Sequence, residues 1–163
     1  PLPGDGSCAY LLQTRALSTK ATAARGSSTW RTRRVYSSPA RSGALRDELA
    51  AAVLEAVPDA LLGGDPAPGG RLPANAHFTF PGCEGDSLLL LLDAQGIACS
   101  TGSACTAGIA QPSHVLLATG TDPDLARGTL RFSLGHTSTA QDVHDLARAI
   151  GPAVDRARTA GLS

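Results

Sequence analysis

A small α/β domain, with helices packed on a short, mostly antiparallel or mixed sheet, is the fold class this sequence predicts. Three observations carry it. Helical and strand periodicities alternate over residues 41–160 in the order helix, strands, helix, strand, helix, strand, helix. The charge changes abruptly near Arg41: residues 1–41 carry a formal +6 and residues 42–163 a formal −6, so the two parts are different kinds of polypeptide. The 163 residues suffice for one domain with a core, or one domain plus a tail.

Residues 1–40 show no sustained period and are rich in Ser, Thr, Arg, Ala and Gly. They predict an irregular or disordered basic segment. The composition from Thr14 to Ser42 also suits an organelle transit peptide. Trp30 and Tyr36 interleave with Arg31, Arg33 and Arg34, as in a nucleic-acid-binding arm, without a folded platform around them.

From Ser42 the order begins. Leu45, Leu49, Val53, Ala56 and Val57 share one helical face, and Pro58 ends that helix. Leu61-Leu62 reads as a short strand, followed by a Pro/Gly-rich loop to about Pro73. Ala76 to Phe80 alternates as a strand, and Pro81-Gly82 breaks it. Glu84-Gly85-Asp86-Ser87 offers caps and early acids to a helix from Ser87 to about Ala94, whose five leucines predict burial on most sides.

Ile97 to Cys99 reads as a short strand running into a loop. A helix from Pro112 to Thr119 follows, with Val115, Leu116 and Leu117 inward, and Pro123 to Ala126 adds a turn. Thr129-Leu130-Arg131-Phe132-Ser133 alternates as a strand. Thr139 and Asp142 form a capping box for the last helix, along which Val143, Leu146, Ala147, Ile150, Val154 and Ala157 keep helical spacing. Gly151-Pro152 should kink that helix or end it early.

Composition removes several function classes. Overall net charge is zero, so no global field points to nucleic acid. No apolar run reaches membrane-spanning length, Leu88 to Leu92 being five residues, and no signal-peptide h-region opens the chain. The chain holds no Met, which predicts a processed chain or a fragment. Four cysteines, at 8, 83, 99 and 105, form neither a dense framework nor a CxxC pair, which favours free thiols in a reducing, cytoplasmic compartment. A zinc site from Cys83, Cys99, Cys105 and His114 lacks ligand spacing.

The chemistry gathers between Gly96 and Gly108. Cys105 sits in a loop of Ser, Thr, Gly and Ala, which has little to bury and little to hold it still. A thiol there can travel, whereas a core Cys cannot, and the helix start at Gln111-Pro112-Ser113 would favour thiolate. The plainer alternative is a small apolar side chain that packs. Cys99, six residues earlier, either packs or pairs with Cys105 on oxidation. His77 and His114 read as structural, and Arg131 by itself as an exposed strand residue.

Taken together, Ser100-Thr101-Gly102-Ser103-Ala104-Cys105-Thr106, Gln111 to Leu116, Thr129 to Gly135, Leu72 to Phe80 and Glu84-Gly85-Asp86 resemble the NifS/IscS-like cysteine desulfurases, in order and spacing, over about Arg41 to Ala160. The resemblance implies the small C-terminal domain of a fold-type I pyridoxal phosphate enzyme. It implies Cys105 as the nucleophile that takes sulfur from L-cysteine as a persulfide, leaving alanine. It implies Arg131 as the two-pronged clamp on the substrate carboxylate. A sulfur-acceptor protein, a homodimer in the complete enzyme, and uses of the sulfur in iron–sulfur cluster assembly or tRNA thiolation follow in the same way.

The family's large cofactor domain has no counterpart here. The sole lysine, Lys20 in Ser18-Thr19-Lys20-Ala21-Thr22, lacks the family's His before it and Gly-Gly-Pro after it. The expectation is therefore the sulfur-accepting half of such an enzyme, inactive alone, with residues 1–40 foreign to it through an out-of-frame or truncated reading. A non-catalytic persulfide carrier and an inactive fragment are the alternatives.

Overall fold

A computed structural model describes residues 38–67, 69–101, 105–106, 109–110 and 112–161. Helix α1, Pro39–Ala56, starts two residues ahead of the expected boundary. Ser38 caps it by accepting the Arg41 amide at 3.3 Å, and proline fits its first turn. The remainder of the basic segment, with Cys8, Lys20, Trp30 and Tyr36, lies outside the described residues.

The chain then forms β1 (Leu61–Leu62), β2 (Asn75–Thr79), α2 (Gly85–Asp93), β3 (Ser100–Thr101), β4 (Cys105–Thr106), β5 (Ile109–Ala110), α3 (His114–Ala118), α4 (Pro123–Arg127), β6 (Thr129–Ser133) and α5 (Ala140–Gly161). The main sheet has the order β1-β2-β6-β3, antiparallel at every pairing, and β4 and β5 make a separate two-stranded pair. The α/β architecture with a small antiparallel sheet is therefore the one expected.

Alternation along the strands separates the two faces of the sheet. One face carries Ala76, Phe78, Leu130 and Phe132, all buried, and Phe78 meets Phe132 edge-on with centroids 6.1 Å apart. Helices α1, α2 and α5 cover it with Leu49, Val53, Leu88, Leu92, Leu146, Ile150 and Val154. Burying a side chain of this size is worth about 1.5–3 kcal/mol, so this layer fixes β6 against the helices. Helix α5 starts on the expected capping box: the Thr139 amide donates to Asp142 Oδ2 at 2.8 Å, and the Asp142 amide to Thr139 Oγ1 at 3.3 Å.

Four local expectations need correction, and a fifth holds for all but one residue. Ile97 to Cys99 is not a strand. The Ile97 amide donates to the Leu92 carbonyl after Gly96 turns the chain at φ 78°, so the ladder begins only at Ser100, where the chain reaches the edge of β6. Of the five leucines of α2, Leu88 and Leu92 are buried and Leu89 and Leu91 pack half-buried against the core, so burial on most sides holds, and Leu90 alone faces out at 67% exposure. Val115, Leu116 and Leu117 are not buried, because α3 is five residues long and packs chiefly on α4. Ala56 is exposed, and Val57 takes the core position one turn beyond Val53. The last helix does not end at Gly151-Pro152. Pro152 lies on its exposed side, where water can solvate the carbonyl that loses an amide partner. Among the described residues no helix is long and apolar enough to cross a membrane.

Candidate functional site

The second face of the sheet is polar. Arg131 lies at the middle of β6 between buried Leu130 and Phe132, so the pleat that buries its neighbours turns it outward. It is exposed, and its guanidinium makes no hydrogen bond or ion pair with a described residue. Cross-strand register sets His77 of β2 directly opposite it on one side and Ser100 of β3 on the other. One step along, the Ser133 hydroxyl donates to Asn75 Oδ1 at 2.9 Å, tying β6 to β2 beside the row. At the other end the Thr129 hydroxyl donates to the Ala126 carbonyl, so α4 closes that side.

His77 is half-buried. The Gly63 amide donates to its carbonyl at 2.8 Å, and a Cβ on Gly63 would stand 2.8 Å from Nδ1, so the imidazole rests against a backbone that only glycine leaves open. Arg71 holds that backbone through Nε, which donates to the Gly63 carbonyl at 3.0 Å. Burial, and then the Arg131 charge, push the imidazole pKa below its ordinary 6.5. His77 is thus kept neutral beside a permanent cation.

The cysteines divide by environment. Cys83 is buried, its Sγ 3.9 Å from the Val154 carbonyl, and burial raises its pKa although Arg158 opposes the shift. Cys99 is half-buried against the core, and burial with the Asp93 charge pushes it up to about 12. Both stay thiols at neutral pH, so neither is a ready nucleophile.

The backbone of Cys105 lies in β4, paired with Ala110, while Thr106 pairs with Ile109. A two-stranded element therefore replaces the plain loop expected. The Cys105 side chain, Gly102 and Gly108 lie outside the described residues. Covalent connection limits the separation: five residues from Ser100 to Cys105 span at most about 18 Å, and Ser100 is the strand neighbour of Arg131.

A cleft of about 100 Å³ opens on the helical side of the sheet, lined by Leu49, Ile97, Phe132, Leu134 and Leu146 among others. It lies behind β6, away from Arg131, and its acids Asp142 and Asp145 already serve Thr139, Arg148 and Gln141. Among the described residues no three His, Cys, Asp or Glu side chains converge as metal ligands. What the polar face offers is an outward guanidinium, with five donors in a fixed fork suited to a planar anion, flanked by an imidazole and a hydroxyl. Sequence reasoning took His77 as structural and Ser100 as part of the motif before Cys105, and set neither beside Arg131. Alternation in Asn75-His77-Thr79 and Thr129-Arg131-Ser133 signals that each set shares a face, but only strand pairing shows that the faces are one.

The family described as Aminotransferase class-V matches residues 36–146, beginning a few residues ahead of Arg41. An IscS-like cysteine desulfurase of Mycobacterium tuberculosis is 59% identical over 124 residues, which is 76% of this chain and 31% of the relative. Cysteine desulfurase NifS of Azotobacter vinelandii is 44% identical over 115 residues, covering 71% of this chain and 28% of the relative. The solved structure of a NifS-like protein from Rickettsia africae superposes with a TM-score of 0.60 at 25% identity, over 72% of this chain and 29% of that one. The chain thus spans less than a third of the length of these relatives.

Proposed function

Because the chain belongs to the class-V aminotransferase family, with cysteine desulfurases among its relatives, we propose that it is the sulfur-accepting part of a cysteine desulfurase. In this reading Arg131 grips the carboxylate of L-cysteine with paired hydrogen bonds. Cys105, as thiolate, attacks the substrate sulfur as that sulfur's bond to Cβ breaks; the electron pair stays with the carbon, which gains a proton and leaves as alanine, and the sulfur stays on Cys105 as a persulfide for an acceptor protein. The observation that carries the reading is the outward guanidinium of Arg131, unpaired among the described residues, on the strand beside the one that leads to Cys105. The environments of Cys83 and Cys99 support it, because they withdraw the competing thiols.

Pyridoxal phosphate, which the family implies, supplies an electron sink when bound. The residues here do not fit it. The described residues hold no lysine to bind it, and the one lysine of the chain, Lys20, lies outside them. That chemistry belongs, in this proposal, to the length of the relatives that the chain does not span, and the complete enzyme is a homodimer. The second reading is a persulfide carrier charged by another protein, which uses Cys105 and needs no cofactor of its own.

One pair of assays tests both. The chain with pyridoxal phosphate and L-cysteine should release no alanine. The chain with a complete cysteine desulfurase and L-cysteine should gain the mass of one sulfur at Cys105, and Cys105→Ser should not. Alanine released in a Cys105-dependent way by the chain alone refutes the division of labour. A folded chain that never gains sulfur refutes both readings.

A further inference from the structure

The row His77–Arg131–Ser100 crosses three neighbouring strands at one level. Directly opposed residues have Cβ atoms about 5 Å apart, close enough for one small planar ligand to touch Arg131 together with the long side chain of His77, while Ser100 stands on the far side of Arg131. The flanking Asn75 and Ser133 are engaged with each other, so the row is the part of this face turned toward a ligand. Two cations directly opposite each other would destabilise the ladder. A neutral imidazole beside Arg131 avoids this, and an anion between them turns the juxtaposition into an attraction.

We propose that His77 completes Arg131 as a carboxylate subsite across two strands, in which His77 donates to an oxygen that the guanidinium fork leaves open. A carboxylate has about four acceptor positions on two oxygens, and a bidentate arginine uses two of them. The third donor decides whether the carboxylate is held in one orientation. Gly63 sets the ring, since any larger residue there meets Nδ1. The inference rests on the reading of Arg131 as the carboxylate anchor and adds a residue to it.

The subsite makes binding pH-dependent. Of the charged groups on the elements beside His77, which are Arg131 on β6 and Asp65 and Arg71 on the loop after β1, Arg131 is the one that shifts the imidazole. A bound carboxylate offsets that charge and favours imidazolium, so binding takes up a proton and tightens as pH falls.

The test is a nuclear magnetic resonance titration of the labelled 163-residue chain, following the Arg131 Nε–Hε and His77 imidazole signals. The probes are L-alanine, acetate and, as the amine without a carboxylate, ethylamine. Both signals should move with alanine and acetate and stay still with ethylamine, and affinity should rise roughly threefold from about pH 7.5 to about pH 5.5. His77→Asn should keep binding and lose its pH dependence, whereas His77→Ala should weaken it about tenfold, the worth of one charge-assisted hydrogen bond. Amide spectra of both variants check the fold. If Arg131 moves while His77 stays still and binding ignores pH, the subsite is refuted and the anchor stands. If neither signal moves, both fall. If His77 responds equally in Arg131→Gln, the two do not form one site.

Discussion

Replacing Gly128 by alanine should be among the most damaging single-methyl additions to this chain. Gly128 sits where α4 passes into β6, with φ −85°, so its backbone angles suit any residue. The obstacle is space. A Cβ there would overlap the Phe80 carbonyl oxygen and lie 2.7 Å from that of Cys83, where ordinary contact begins at 3.4 Å. Both obstacles are backbone and cannot rotate away. The Gly128 carbonyl also accepts the Phe80 amide at 2.8 Å, so relief of the clash pulls this bond apart. Overpacking of this kind costs about 1–3 kcal/mol and the lost bond about 1 kcal/mol, giving a destabilisation of about 3 kcal/mol. Gly43→Ala is the internal control. Nothing lies within 4 Å of its added Cβ, and it is interior to α1, so that variant should gain about 0.5–1 kcal/mol. Urea unfolding of the full chain followed by far-ultraviolet circular dichroism measures both. Equal midpoints for Gly128→Ala and the parent would refute the placement of β6 against the turn after β2.

Other outcomes follow from local chemistry. Thr139→Ala removes one half of the capping box and should lower stability by about 1 kcal/mol in the same urea assay. His77 has a folded pKa below its ordinary 6.5, so the unfolded chain binds the extra proton. Stability should fall as pH drops below 6.5, and His77→Asn should flatten that acid limb of a melting-temperature profile. For Cys99 the folded pKa is raised from 9.0 to about 12, so the unfolded chain loses its proton first and stability should fall as pH climbs through that window. Cys99→Ala should remove part of that loss. Iodoacetamide at pH 8 should leave Cys83 and Cys99 unmodified while the fold holds, as peptide mass mapping would show.

Much of this was legible in the sequence because the signals were local. The alternation in Thr129 to Ser133 and the Thr139–Asp142 box state their structures directly, and both are present. What misled was burial inferred from composition. Even the run of five leucines, four of which do pack on the core, leaves Leu90 facing out, because a helix lying on one layer keeps one side to solvent. Val115 and Leu117 look like core residues, yet α3 is not packed on that core. Ile97 looks like a strand residue, but its amide closes the preceding helix. At the site, Arg131 was singled out from its sequence context. Its neighbours His77 and Ser100 come from β2 and β3, and no local pattern announces which strands will lie side by side.

The strand order has a consequence for how this polypeptide comes to be folded at all. Strand β6 sits in the middle of the sheet yet is the last strand to leave the ribosome, and it meets β2 across as many as 58 residues. Until it arrives, β3 has no ladder partner in that sheet, and Phe78 of β2 and the leucines of α2 wait without the layer that covers them. Assembly dominated by such distant pairings is slow and leaves sticky surface on show meanwhile. Translation stalled before residue 129 should therefore yield a nascent chain that chaperones hold, and release should coincide with the emergence of β6 and α5.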